Sequence, residues 1–189
     1  MNNNKTVYDI VTIALLVTVM FVVAPFSLFI GPVPITLTTL VLYVIICIFS
    51  PRQCVTAVCV YILIGCIGVP VFSGYTAGVG QLVGPTGGFL LGYIPLCVVS
   101  SCIIKSWKSV KAGSVMIRNL CGLFVGMVLL YVVGTWGYML VTGNGVKESV
   151  LVCVVPFVVV DMIKILVAVW CAPILKKRLI LAGVILENK

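Results

Sequence analysis

Six long apolar runs, each bounded by proline, glycine or basic residues, leave this chain few ways to fold. They cover residues 7–24, 35–49, 55–69, 84–104, 115–141 and 150–175. A helix of about 20 apolar residues crosses the hydrocarbon core of a bilayer. In lipid a helix also satisfies its own backbone polar groups, which an open strand cannot do. The runs are too long for barrel strands, which need about 9–11 residues. The expected fold is therefore an all-α polytopic membrane protein: a bundle of six transmembrane helices in one membrane domain, residues 1–189. The first run is too long for the apolar core of a signal peptide, and Ala24-Pro25 is a poor cleavage site.

Composition agrees. The chain is 62% hydrophobic and 8% charged, with a mean hydropathy of +1.33, whereas soluble domains average about 25% charged residues. A formal charge of +8 would suggest nucleic acid in a soluble protein. Here the basic residues mark the ends of apolar runs, so they read as topology signals and no nucleic-acid partner is expected. With six crossings, Lys5, Arg52, Lys105, Lys108, Lys111, Arg118, Lys176, Lys177, Arg178 and Lys189 share one side. Lys147 alone stands on the other. That bias predicts a multi-pass cell-membrane protein with both termini in the cytoplasm. The nine cysteines form no C-x-x-C pair and read as small apolar packing residues. There is no histidine. His-based metal sites and Ser-His catalysis are thereby excluded. A single intramembrane carboxylate without a second acid makes no acid–base set, so neither an enzyme nor a metal site is expected.

Two opposite charges interrupt the last run: Asp161 and Lys164, three residues apart and on one helix face. A charge at the centre of a membrane helix costs about 2.5–3.5 kcal/mol on insertion scales. Such a pair either neutralises itself to fix bundle register or faces a polar ligand. The glycine-rich, uncharged connection from Val71 to Gln81 leads into Gly84-Pro-Thr-Gly-Gly88. Pro85 suits a first helical turn. Free N–H groups there, with the Thr86 hydroxyl, would hold a polar ligand group. The string lacks the G-K-[ST] ending of a P-loop, so it neither binds nor splits ATP. Gly92, and Gly122 with Gly126, read as close helix contacts. Pro156 deprives the Val152 carbonyl of its helix donor and loosens the helix before Asp161.

Four segments occur in order: Gly31-Pro-Val-Pro-Ile-Thr-Leu-Thr-Thr39, Gly65-Cys-Ile-Gly-Val-Pro-Val-Phe-Ser-Gly74, Leu82-Val-Gly-Pro-Thr-Gly-Gly-Phe-Leu-Leu-Gly92 and Asp161-Met-Ile-Lys164. Together they closely resemble the BioY family, the biotin-specific substrate-binding subunits of energy-coupling factor transporters. The resemblance runs from about Gly31 to Lys164. It implies a six-helix subunit that captures biotin from outside and docks on a membrane scaffold driven by two ATPases. Biotin would be transported cargo, with no cofactor. The alternative is a carrier for another small vitamin, or an ion-coupled permease. The family's Asp-x-x-Lys element falls on Asp161 and Lys164. A carboxylate accepts from the ureido N–H groups of biotin, and an ammonium donates to its carbonyl. Phe72, Tyr75, Phe89 and Tyr93 are candidate walls for the apolar rings. Gln81, Gly84, Thr86, Gly87 and Gly88 are candidate polar or backbone contacts. Ala14 and Thr18 stand where substrate-binding subunits commonly carry Ala-x-x-x-Ala to meet the scaffold.

Overall fold

The computed structural model describes residues 2–28, 33–106 and 112–183. Gly31, Pro32, Trp107, Lys108, Lys111 and Lys189, which figure in the sequence reading, lie outside the described residues. Seven helices follow one another among those described: α1 (Asn2–Val23), α2 (Thr38–Ile48), α3 (Pro51–Cys66), α4 (Gly87–Ser106), α5 (Ala112–Thr142), α6 (Val146–Cys153) and α7 (Val155–Leu181). Two short strands, β1 (Ser27–Leu28) and β2 (Ile35–Thr36), pair antiparallel between α1 and α2. Four helices, α1, α4, α5 and α7, are long and apolar enough to cross a membrane.

Several boundaries differ from those expected. The run at 35–49 yields a helix of only 11 residues, because Ile35 and Thr36 join the strand pair instead. At 1.5 Å per residue α2 is about 16 Å long, well short of a hydrocarbon core of about 30 Å. The run expected at 55–69 starts earlier, at Pro51. A capping box explains the early start: the Ser50 hydroxyl accepts from the Gln53 N–H, and the Gln53 side chain accepts from the Ser50 N–H. The run at 150–175 is not one helix. It breaks at Val154, between α6 and α7, and Pro156 sits in the first turn of α7. The break follows from the missing proline donor.

The closest seam lies between α4 and α5. A Cβ on Gly88 would stand 2.9 Å from the Gly137 Cα and 2.9 Å from the Gly134 carbonyl oxygen. Gly92 faces Leu130, while Gly122 and Gly126 face Ile104, Leu96 and Ser100. Small residues on both helices let two backbones meet, which in lipid replaces the hydrophobic driving force. This seam sets α4 and α5 as one rigid wall. Beside it α2 packs along α7, and Tyr43, Leu42, Ile46 and Ile165 are wholly buried.

The two connections at one end of the bundle are tied together. The Gly74 N–H donates to the Pro25 carbonyl at 3.0 Å, and the Gly78 N–H to the Gly65 carbonyl at 2.8 Å. Gly74 has φ +67° and Gly78 has φ +94°, conformations that a side chain would strain. Phe72 lies over Gly65, where a Cβ would collide with its ring, and edge-on to Tyr61 at 5.6 Å.

Gly88→Leu should lower the unfolding temperature of the detergent-purified protein markedly, since overpacking costs about 1–3 kcal/mol. Gly145→Ala, where an added Cβ meets nothing within 4 Å, should leave it unchanged. Equal melting curves for Gly88→Leu and the parent would refute the close seam.

Candidate functional site

Asp161 and Lys164 lie two turns into α7, and their spacing turns both toward α2 and α5. The Lys164 Nζ donates to the Asp161 Oδ1 at 2.8 Å, to the Thr36 carbonyl at 2.9 Å and to the Thr39 Oγ1 at 3.0 Å. All three ammonium protons thus have acceptors. The Tyr131 hydroxyl on α5 donates to the Asp161 Oδ2 at 2.8 Å. The Thr39 Oγ1 is also 3.3 Å from the Asp161 Oδ1. Asp161 is 4% exposed and Lys164 is 7% exposed. Burying one such ion alone costs several kcal/mol. A pair survives burial only when the remaining protons and lone pairs are satisfied, and here three elements supply the partners.

The pair also forms the floor of a cavity of about 310 Å³, at the lower end of the range for small-molecule sites. The two alternatives left open by the sequence therefore coincide: the charges neutralise each other and still border open space. Phe72, Phe89, Leu90, Tyr93, Leu130 and Phe157 make apolar walls above them. Ser73, Thr76, Gln81 and Thr86 line the cavity from the connection between α3 and α4. The lining thus combines the ion pair, hydroxyl and amide groups, and apolar and aromatic side chains.

Of the residues expected at a site, Asp161, Lys164, Gln81, Thr86, Phe89, Tyr93 and Phe72 line this cavity. Gly84, Gly87, Gly88 and Tyr75 do not. The helix starts at Gly87 and not at Gly84, and the N–H groups of Gly87 and Phe89 are taken by the carbonyls of Gly84 and Thr86. Gly87 packs on the Leu82 backbone, and Gly88 on α5. Tyr75 is 62% exposed and meets Phe26 edge-on at 6.3 Å, outside the lining. Ala14 and Thr18 lie on the exposed face of α1, where the Thr18 hydroxyl donates to the Ala14 carbonyl at 2.8 Å.

Sequence reasoning missed Thr36, Thr39 and Tyr131. Thr39 stood inside a noted segment, Gly31–Thr39, but threonines before an apolar run look like ordinary helix-start residues. Nothing near Tyr131 in the sequence points to a carboxylate 30 positions away.

Comparison with known proteins places the chain in a family. The sequence model described as the BioY family matches residues 1–180. A biotin transporter of Lactococcus lactis subsp. cremoris is 34% identical over 161 residues, 85% of this chain and 86% of that protein. The biotin transporter BioY of Thermotoga maritima is 31% identical over 151 residues, 80% of this chain and 85% of its own length. Among solved structures, the S-component for biotin from an ECF-type ABC transporter superposes with a TM-score of 0.80. That match covers 94% of this chain and 95% of the other at 21% identity, a likeness of fold. With the family model spanning nearly the whole chain, and relatives above 30% identity aligned over most of it, this protein belongs to the BioY family.

Proposed function

We propose that this chain captures biotin in the cavity above Asp161 and Lys164, as the substrate-specific subunit of an energy-coupling factor transporter. One observation carries the reading: a buried carboxylate and a buried ammonium, 2.8 Å apart, line a cavity that they share with aromatic and aliphatic side chains. A cyclic urea presents two N–H donors beside one carbonyl acceptor. The Asp161 carboxylate retains a free lone pair for a ureido N–H. Lys164 would give the ureido carbonyl the proton now directed at Thr39. Each charge-assisted bond is worth about 1.5–3 kcal/mol. The thioether ring and valeryl chain would lie between Phe89, Tyr93 and Phe157. The carboxylate would reach the hydroxyls of Ser73, Thr76 and Thr86 and the amide of Gln81.

We further infer six crossings with both termini in the cytoplasm. Two features support this. Asp9 on α1 accepts from the Gln53 side chain at the start of α3, at 2.8 Å. Lys105 at the end of α4 lies within electrostatic range of Arg118 near the start of α5 and of Lys176 toward the end of α7. Those ends carry most of the positive charge, as cytoplasmic ends do. The short α2 and α3 would complete their crossings with the adjoining strand pair and loop. On the outward face of α1, Ala14 and Thr18 are small enough for a scaffold helix to approach closely, with two ATPases completing the assembly.

Calorimetry with biotin and the purified protein tests the reading. Saturable heat is expected, and none from a folded sample would overturn it. A proton-coupled carrier of another vitamin would instead bind a different ligand and lose uptake to an uncoupler at constant ATP. Asp161→Ala should weaken biotin by about 2–5 kcal/mol, because it strands the Lys164 charge; an unaltered affinity would remove Asp161 from the site. Tyr131→Phe removes a hydrogen bond to a charged group, and a loss of roughly tenfold or more in affinity is expected from titration. The 2-imino analogue of biotin has no carbonyl to receive the Lys164 proton and should bind far more weakly than biotin. Equal binding would show that the urea does not face the pair.

A further inference from the structure

A second concavity lies on the other side of Tyr131. It is a groove of about 460 Å³ between α5 on one side and α6 with the start of α7 on the other. Val146 and Val150 on α6, Val154 at the break and Val158 on α7 line one wall. The facing wall, Phe124 to Met139 on α5, is continuous helix and rises about 22 Å, enough to span one leaflet of a hydrocarbon core of about 30 Å. The groove opens outward: Val132 is 60% exposed and Trp136 is 64% exposed.

Two hydroxyls interrupt this hydrocarbon lining. That of Tyr131 points away, to Asp161. That of Thr135 does not. Thr135 is 7% exposed, lines the groove, and its Oγ1 has no hydrogen-bond partner among the described residues. A threonine in a helix ordinarily donates to the carbonyl four residues back, and Thr135 does not. A buried hydroxyl in an apolar trough calls for an acceptor from outside. Its neighbour Trp136 is of the residue type that settles at the boundary between headgroups and hydrocarbon. At that depth the available acceptor is the ester carbonyl of a glycerophospholipid, with an acyl chain running on below it.

We propose that this groove seats one acyl chain of a diester phospholipid, whose ester carbonyl accepts from the Thr135 hydroxyl, and that the seated chain supports the Tyr131 ring. Tyr131 is the partition: its side chain borders both the groove and the cavity. Removing the chain would let the ring relax toward the groove and loosen its hold on Asp161. The binding of lipid stands independently of the cargo; the support of Tyr131 rests on the proposed reading of the cavity.

Native mass spectrometry of the protein in mild detergent, with diester or diether phosphatidylglycerol added, tests lipid binding without biotin. Wild type should retain one diester lipid. Thr135→Val keeps the groove's shape and should retain roughly tenfold less, as should wild type with the diether lipid, for loss of one hydrogen bond. Val150→Phe fills the groove with the protein's own side chain and should retain none. Equal retention by wild type and Val150→Phe, or a dimer in place of a lipid adduct, would overturn the site. Equal retention of diester and diether lipid would remove the Thr135 contact. Biotin titrations then test the coupling. Delipidated wild type should gain affinity when the diester lipid is restored, and Val150→Phe should be insensitive to lipid. A wild type that retains the lipid and binds biotin equally with and without it would overturn the coupling and leave the cargo reading intact.

Discussion

A carboxylate and an ammonium in contact within a helix bundle set terms that the neighbouring elements must meet. Left to itself in hydrocarbon, either charge would cost several kcal/mol. The structure meets this by drawing four separate elements onto one spot. Thr36 on β2, Thr39 on α2, Tyr131 in the middle of α5, and α7 itself supply the partners of the pair among the described residues. Because those partners come from distant parts of the chain, satisfying the pair also fixes where α2 and α5 stand relative to α7. Register and, on the proposed reading, recognition are thus two results of the same contact.

The glycines act on a different scale. Where Gly88 meets Gly137, α4 and α5 press backbone to backbone and form a wall that has little room to shift. Phe89, Tyr93 and Leu90, from the same turns of α4, then project into the cavity from a rigid base. The connection between α3 and α4 is held differently, by Gly74 and Gly78 in left-handed conformations and by bonds to Pro25 and Gly65. It contributes short polar side chains to the lining. Helices thus carry the ion pair and most of the apolar lining, and a tethered loop adds hydroxyl and amide groups.

Much of this was legible in the sequence, for physical reasons. Lipid imposes long apolar runs, so the helical character and approximate location of the segments could be read. A buried pair in such a run is conspicuous because every alternative residue is cheaper, which is why Asp161 and Lys164 stood out. Their partners did not, since threonine and tyrosine are tolerated anywhere in a membrane helix, and contacts across 30, 122, 125 and 128 positions leave no local trace. The glycines at the start of α4 show the opposite error. Gly-Gly at a helix start suits a ligand that needs bare backbone, but it equally suits a neighbouring helix that does, and only the placement of α5 decides between them. The shortness of α2 was invisible too, because Ile35 and Thr36 are as apolar or β-prone as the helix that follows.

Below the pair, the buried face of α7 changes character. Ile165, Ala168, Val169 and Ala172 are each no more than 2% exposed, and no charged side chain follows on α7 until Lys176. About 18 Å of helix separates Lys164 from Lys176 at 1.5 Å per residue, all of it apolar. On the proposed reading of the cavity, a proton or small ion that reached the pair would meet no further charge along α7 for that whole distance.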